Sequence, residues 1–275
     1  MISPYIRILK LNVGKLIKTL GLDFFFFKLK SILNWYLPWN FKEKQKIISF
    51  YSSFIGKDDL CFDIGANIGN ITNYLLKVGA KVICVEPVKK CQDKLYYKFG
   101  KNKNIIIVGK ALGEKEGTNQ ILISEGAESI STFSEKWINE GRFSGKFKWN
   151  SSEQVEMTTL DNLISKYGKP KFCKIDVEGY ESEVIKGLSK PIPIICFEFT
   201  KEFLEDVEKN IEFLKTLGKV KFNFVIGASF NFYFKNLVDS NLILNTLKKM
   251  NNNHKLWGDI YVFFINMLKS NYNEK

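Results

Sequence analysis

Between Asp58 and Thr200 the chain alternates between short apolar runs and longer stretches with helical periodicity. LCFDI predicts a first strand, NITNYLLKVG a helix that ends at Gly79, and KVICV a second strand. KKCQDKLYYKFG predicts a second helix, and NIIIVGKAL predicts a third strand. Strands and helices that alternate in this way form a parallel sheet with right-handed crossovers, so we expect an α/β fold.

The alternation resumes after a segment at 113–152 that is rich in serine, glycine and polar residues. It predicts helices in TLDNLISKYG and YESEVIKGL, strands in KFCKI and PIICFEF, a helix over 202–217, and last strands in KVKFNFVIG and DIYVFFI. Seven strands in this order predict a seven-stranded, mostly parallel, doubly wound sheet whose final strands form an antiparallel pair. No internal repeat or linker divides this part, so we expect one domain over residues 44–275.

Residues 1–43 have a different character from the rest of the chain. In YIRILKLNVGKLIKTL apolar residues recur at helical spacing, while Arg7, Lys10 and Lys18 occupy other faces. This pattern predicts a basic, amphipathic, helical arm outside the sheet. Such an arm packs on the domain, forms a dimer contact, or makes peripheral membrane contact through residues 1–40, and the sequence leaves these alternatives and the oligomeric state open.

Composition restricts the class of protein more than it identifies a partner. The formal net charge of +12 attracts anionic partners such as phospholipid, acidic glycan or nucleic acid without choosing among them. The five cysteines show no paired spacing, and four of them lie in apolar runs that predict strands, so we expect reduced core thiols. No stretch is apolar for long enough to form a transmembrane helix, and no cleavable signal peptide is recognisable. We therefore expect a cytoplasmic protein, with membrane association left open.

The candidate site residues are those that directly follow the predicted strands, because ligands of a doubly wound sheet bind beyond the strands' carboxyl ends. They form an acidic rim: Asp63 to Gly69 after the first strand, Glu86 and Pro87 after the second, Ala111 and Leu112 after the third, Asp176 and Glu178 after the fourth, and Glu198 after the fifth. Gly65 and Gly69 permit a tight turn, and the helix after them offers free N–H groups to an anion.

The first turn, FDIGANIGN, discriminates between two classes of nucleotide ligand. A dinucleotide site needs G-x-G-x-x-G and a near-neutral floor under two phosphates, whereas this turn begins with the carboxylate of Asp63. S-adenosylmethionine has no phosphate and carries an ammonium, a sulfonium and one carboxylate, so an acidic turn beside a helix N-terminus suits it. Glu86, about 20 residues further on, is placed to accept both ribose hydroxyls. The turn favours the methyl donor, and an oxidoreductase remains only if the turn is misinterpreted.

Several segments together resemble the FkbM family of S-adenosylmethionine-dependent methyltransferases, over roughly residues 58–200. They are FDIGANIGN, CVEPVKKCQDKL, KALGEKEG, VEMTTLDNLI, KIDVEGYESEVIKGL and ICFEF, of which KIDVEGYE is the most specific. The resemblance implies a Rossmann-like class I methyltransferase that O-methylates a hydroxyl of a sugar or another natural product, often in surface-polysaccharide biosynthesis. By position it implies contacts with the methionine part of the donor from Asp63, Gly65, Asn67 and Gly69, with the ribose from Glu86, and with the adenine from Ala111 and Leu112. Pro87 belongs to the same donor site.

The chemistry of such an enzyme requires activation of the acceptor. Methyl transfer is an in-line displacement at carbon, and a hydroxyl becomes a better nucleophile beside a base or a metal ion. Asp176 is the first candidate for the base and Glu178 the second, although Glu178 alternatively caps the next helix. Asp176, Glu178 and Glu198 also offer oxygen ligands to Mg²⁺, but we expect no metal. We expect Glu198 and Glu181 to support the loop.

The acceptor is the least defined part of the prediction. We expect a sugar or glycan, free or lipid-linked. Two segments have alternative interpretations. We expect the hydroxyl-rich segment ESISTFSEKW to bind the acceptor, to cover the donor or to form a surface hairpin. We expect the aromatic segment GRFSGKFKW to stack on sugar rings or to shield the core. A nucleic-acid methyltransferase is not expected, because N/D-P-P-Y and a catalytic Pro-Cys pair are absent from the sequence. A degenerate, membrane-bound scaffold is the other alternative, and the presence of Asp63 and Glu86 argues against it.

Overall fold

The computed structural model describes residues 39–124, 126–250 and 256–268. The predicted arm therefore lies, up to residue 38, outside the described residues. The chain divides between Ile47 and Ile48 into two units, and the second, Ile48–Lys275, contains all the strands described below. No helix in the described ranges is long and apolar enough to span a bilayer.

The described ranges contain ten strands and eight α-helices. The strands are β1 Leu60–Ile64, β2 Lys81–Val85, β3 Ile105–Val108, β4 Ala111–Leu112, β5 Gly117–Ile123, β6 Ser151–Thr158, β7 Phe172–Ile175, β8 Ile194–Thr200, β9 Val220–Ile226 and β10 Trp257–Phe264. The helices are α1 Trp39–Ser52, α2 Asn70–Val78, α3 Lys89–Phe99, α4 Glu135–Glu140, α5 Leu160–Tyr167, α6 Glu181–Lys186, α7 Leu204–Leu217 and α8 Ser240–Met250.

The main sheet has seven strands in the order β3-β2-β1-β7-β8-β10-β9. Within it, the adjacent strands from β3 to β8 pair in parallel, while β10 runs antiparallel to both β8 and β9. The predicted α/β class, the mostly parallel doubly wound sheet and the antiparallel final pair are confirmed. The strand order reverses between β1 and β7, and this is where such a sheet opens a crevice for ligands.

Two parts of the prediction were wrong. The apolar run 104–112 does not form one strand: β3 ends at Val108, and Ala111–Leu112 pairs with β6 in a separate three-stranded sheet of order β4-β6-β5. Helix α8 was missed altogether. Periodicity detects an apolar run but not a change of sheet within it, because the partner strand β6 lies about 40 residues further along the chain.

Helices cover both faces of the main sheet and enclose its core. On one face the rings of Tyr51 in α1 and of Phe54, just after it, contact Phe172 in β7, and Phe54 also contacts Tyr261 in β10. On the other face α5 to α8 pack their apolar residues on β7, β8 and β10. All five cysteines are buried free thiols, as predicted. Strands buried on both faces read as continuous apolar runs, which is why the sequence identified them.

Gly65 directly follows β1 and determines how closely the turn after that strand approaches the end of β7. Its φ is +77°, and a Cβ atom added there would lie 1.9 Å from the carbonyl oxygen of Asp176. The missing side chain thus accommodates the backbone of the neighbouring loop. A tight turn was predicted here, but the close approach is to the chain itself.

We expect Gly65→Ala to lower the free energy of unfolding by about 3–5 kcal/mol, because the new methyl group meets a carbonyl oxygen in a left-handed backbone. Urea denaturation followed by circular dichroism measures this. Gly145→Ala is the matched control: its φ is +70°, but no atom lies within 4 Å of the added Cβ, so it pays only the backbone term of about 1–2 kcal/mol. Equal losses in the two variants would contradict the steric explanation.

Candidate active site

A cavity at the carboxyl ends of β1, β2 and β7 brings together most of the predicted site residues. We call it the first cavity. Its lining includes Gly65, Asn67, Glu86, Pro87, Ala111, Leu112, Asp176 and Glu178. Two predicted residues, Asp63 and Gly69, are not among the lining residues. The loops after four strands thus meet in one place, as the topology requires of a parallel sheet.

Asp63 lies beneath the first turn rather than in the cavity. Its carboxylate is 2% exposed and accepts a hydrogen bond of 2.5 Å from the Thr72 hydroxyl in α2. Burial raises the pKa of Asp63 to about 6, although the Thr72 hydroxyl and the Lys174 ammonium oppose the rise. Its position ties the end of β1 to the first turn of α2. The predicted contact of Asp63 with a methyl donor stays a prediction.

Glu86 is held rigidly at the end of β2. One of its oxygens accepts from the backbone N–H of Asn67 at 2.7 Å and the other from that of Val88 at 2.9 Å. The side chain is almost fully buried, and burial raises its pKa to about 7 against the effect of these two hydrogen bonds. Each carboxylate oxygen has a second lone pair, so Glu86 can still accept two ligand hydroxyls.

The loop at 176–181 is braced from two sides. Glu181 accepts hydrogen bonds from the backbone N–H groups of Val177 at 3.0 Å and Gly179 at 3.3 Å, which is the loop-supporting role expected for it. The hydroxyl of Thr132 donates to the carbonyl of Glu178 at 2.7 Å. Glu178 itself has a φ of +54°, a rare conformation for a residue with a side chain. These contacts hold Glu178 in a strained conformation at the cavity wall.

Three carboxylates gather beside the first cavity, and two of them, Asp176 and Glu178, belong to its lining. Oxygens of Asp176, Glu178 and Glu198 lie within 4.8 Å of one another. Arg142 donates to Glu198 at 2.8 Å, so Glu198 pairs with a cation instead of supporting the loop backbone as expected. Burial and then the charge of Asp176 raise the pKa values of Glu178 and Glu198. The trio has the donor chemistry of a divalent-cation site, but Arg142 already neutralises one member.

Lys174 is a functional candidate that the sequence analysis missed. Its ammonium is 2% exposed and donates to Asp259 at 2.7 Å and to Asp176 at 3.2 Å. Burial lowers the pKa of Lys174, but the two carboxylates outweigh it and hold the pKa well above its usual value. A lysine inside a strand that was predicted to be buried on both faces is a recognisable signal, because such a charge needs partners.

The hydroxyl-rich segment at 128–134 closes the first cavity from above. Glu128, Ser129, Ser131 and Phe133 are among its lining residues. Glu128 forms an ion pair with Lys90 in α3, which ties this segment to the helix after Glu86. Of the alternatives that the sequence left open, a position over the candidate donor site fits this geometry.

Comparison with known proteins identifies relatives of the chain. The family described as Methyltransferase FkbM domain matches residues 63–250. The curated protein Hexuronic acid methyltransferase AglP of Haloferax volcanii is 24% identical over 161 residues, which are 56% of this chain and 60% of that protein. The chain therefore spans less than two thirds of that relative's length.

Solved structures of methyltransferases are also similar at low identity. A precorrin-6y C5,15-methyltransferase from Geobacter metallireducens GS-15 has 12% identity and a TM-score of 0.42, covering 79% of this chain and 87% of that chain. A putative rRNA-methylase from Clostridium thermocellum has 12% identity and a TM-score of 0.40, covering 78% and 92% respectively.

We expect Lys174→Met to lower the free energy of unfolding by about 3–5 kcal/mol, because Asp176 and Asp259 lose the cation that compensates their burial. Urea denaturation measures the loss, and the double variant Lys174→Met/Asp259→Asn should recover part of it. Lys221→Met is the control: its 2.8 Å ion pair with Asp239 is far more exposed, so it should cost no more than about 1 kcal/mol. Similar costs at the two lysines would show that the buried pair does not brace the site.

Proposed function

Since the chain belongs to the FkbM family of methyltransferases, we propose that it transfers the methyl group of S-adenosylmethionine to a hydroxyl of a sugar or glycan. One observation carries the proposal: Asp176 and Glu178 line the same cavity as Gly65 and Glu86. Residues suited to a nucleoside and residues suited to accepting a proton are thus within one enclosure, as group transfer between two bound molecules requires.

The donor end of the cavity is suited to an adenosyl group. Glu86, fixed by two backbone N–H groups, accepts the ribose hydroxyls with its free lone pairs. Ala111 and Leu112, both buried, offer an apolar wall to the adenine. The carboxylate of the methionine part lies at the N-terminus of α2, because the positive end of a helix favours an anion. Asp63 acts from beneath that turn and adds negative potential near the ammonium and sulfonium.

The acceptor end supplies the base. The methyl group of S-adenosylmethionine is activated by the positive charge on its sulfur. As the hydroxyl oxygen attacks the methyl carbon, the C–S bond breaks and the sulfur leaves as a neutral thioether with the bonding electron pair. Glu178 takes the hydroxyl proton, because burial raises the pKa of its carboxyl group and so makes its carboxylate a better proton acceptor than an ordinary glutamate. Asp176, held by Lys174 at 3.2 Å, accepts a hydrogen bond and orients the hydroxyl. Magnesium is not needed for this step.

The relative and the charge of the rim both support the proposed acceptor class. The curated relative carries the name of a hexuronic acid methyltransferase, which supports a sugar acceptor, free or lipid-linked. A polyanionic nucleic acid is not proposed, because Asp176, Glu178 and Glu198 would repel phosphates where the acceptor must enter. A cytoplasmic location, with or without membrane contact through residues 1–40, belongs to the same proposal.

Calorimetric titration tests the donor. We expect micromolar binding of S-adenosylmethionine and none of NAD. Glu86 binds the ribose as a carboxylate, so with a pKa of about 7 the affinity should fall about tenfold from pH 8 to pH 6. Glu86→Gln should bind more weakly, and its affinity should lack this component of the pH dependence. The ionisation of S-adenosylmethionine itself affects the wild type and Glu86→Gln equally. The ratio of their two affinities at each pH therefore reports the contribution of Glu86 alone. Preference for NAD would refute the donor assignment.

Substitution of the base tests the chemistry. Glu178→Gln should leave the affinity for S-adenosylmethionine within about twofold and lower the rate of methyl transfer by about 10²- to 10⁴-fold. The readout is transfer of radiolabelled methyl to neutral and hexuronic-acid-containing oligosaccharides. The wild-type rate should rise with pH through the raised pKa of Glu178, because only the ionised carboxylate accepts a proton. Glu183→Gln, which removes an exposed partner of Lys186, is the control. A fully active Glu178→Gln enzyme would exclude Glu178 as the base.

A further inference from the structure

A second cavity lies on the other side of the loop that bounds the first. Successive residues of this loop alternate between the two: Glu178 and Tyr180 line the first cavity, whereas Gly179 and Glu181 line the second. The second cavity has about 370 Å³ of empty space, including space open to solvent. Its other walls come from the end of β8, from α4 and from the first turns of α7.

Two residues that line this second cavity each carry a buried polar atom without a partner among the described residues. The indole Nε1 of Trp137 and the hydroxyl of Thr200 make no hydrogen bond within the described residues. The two residues are only 1% and 2% exposed, and both line the second cavity. Buried polar groups are nearly always paired, because an unpaired one loses its hydration without compensation. A ligand with hydroxyl groups would satisfy both the indole donor and the threonine hydroxyl.

The remaining lining residues define the chemistry of that ligand. Glu198, Asp206 and Asn210 supply hydrogen-bond acceptors, and the rings of Trp137 and Phe203, with centroids 5.6 Å apart, supply an apolar wall. Apolar walls with a few fixed polar groups are typical of small-molecule sites. None of the described residues that line this cavity is Lys or Arg.

The cations nearest to the second cavity are already engaged by its carboxylates. Arg142 pairs with Glu198 at 2.8 Å, and Lys136 pairs with Asp206 at 3.1 Å. Among the described residues that line this cavity there is thus no cation to neutralise an entering phosphate or carboxylate. The lining favours an uncharged molecule with several hydroxyls over an anion.

We propose that the second cavity is an acceptor subsite that binds a neutral, polyhydroxylated ring of the glycan, through Trp137 Nε1 and the Thr200 hydroxyl. This inference rests on the proposed function and extends it. It places this ring on the β8 side of the 178–181 loop, opposite the first cavity, where Glu178 and the donor residues lie. Any charged sugar of the acceptor lies outside this subsite.

The indole N–H signal of Trp137 reports on the subsite directly. The protein is labelled with ¹⁵N in its tryptophans, saturated with S-adenosylhomocysteine, and titrated with the methyl α-glycosides of glucose, mannose and galactose. Inorganic phosphate is the anionic comparator. The Trp137→Phe variant assigns the signal, and Trp149 is an internal reference because its Nε1 donates to the Ile130 carbonyl at 2.8 Å.

We expect at least one neutral glycoside to shift the Trp137 signal saturably, with a dissociation constant on the order of millimolar, while Trp149 and the phosphate titration stay unchanged. Thr200→Val should weaken that response about tenfold. The control Thr246→Val should respond as the wild type does, since Thr246 bonds only within its own helix, to the Leu242 carbonyl.

The inference is overturned if no neutral glycoside moves the Trp137 signal, if phosphate moves it equally, or if Thr200→Val and Thr246→Val respond alike. Binding of S-adenosylhomocysteine is measured separately by calorimetry. If S-adenosylhomocysteine does not bind, the proposed function is refuted. The glycoside titration, repeated without S-adenosylhomocysteine, would still decide whether the subsite exists.

Discussion

The arrangement at the carboxyl edge of the sheet depends on one buried cation. Lys174 lies in the central strand β7 and bonds to Asp176, two residues on, and to Asp259 in β10, across the intervening strand β8. An ammonium group out of water needs such partners, so the lysine fixes the position of both carboxylates. Asp259 is in register with Glu198, and Glu198 pairs with Arg142. The charges at this edge of the sheet, beside the first cavity, thus form one connected set.

The 176–181 loop lies at this edge of the sheet, and its residues line both cavities. Gly65 lets the turn after β1 approach the carbonyl of Asp176, and Glu181 binds two N–H groups of the loop. The Thr132 hydroxyl holds Glu178 from the opposite side. Glu178 is therefore positioned by backbone contacts that do not involve its own carboxylate. A strained residue supported in this way is common where geometry serves binding or catalysis. In the proposed function it is the residue between donor and acceptor.

The sequence predicted the fold well where strands are buried on both faces. Apolar runs such as KVICV and PIICFEF predict buried strands, and the order of such strands along the chain restricts the sheet to a few topologies. The rim residues followed from the same rule, and eight of them line one cavity. Asp63 and Gly69 do not line it: the carboxylate of Asp63, inside β1, accepts from Thr72 in α2, and Gly69 lies at the start of α2 against Leu95 and Phe99. Lys174, Arg142 and Trp137 were not identified, since each acts through a partner distant in the chain.

The amino-acid sequence by itself determined the order of the strands in the main sheet and the family, because both depend on local apolar patterns and on short motifs along the chain. Only the tertiary structure decided what each polar side chain does. Whether Asp63 faces a ligand or Thr72, and whether Glu198 supports a loop or pairs with Arg142, depends on burial and on contacts between distant segments. The segment at 113–152 makes the same point: it reads as a polar excursion, yet it folds into β5, α4 and the start of β6 and supplies walls to both cavities. Its structure comes from pairing with the rest of the protein, for which no local pattern exists.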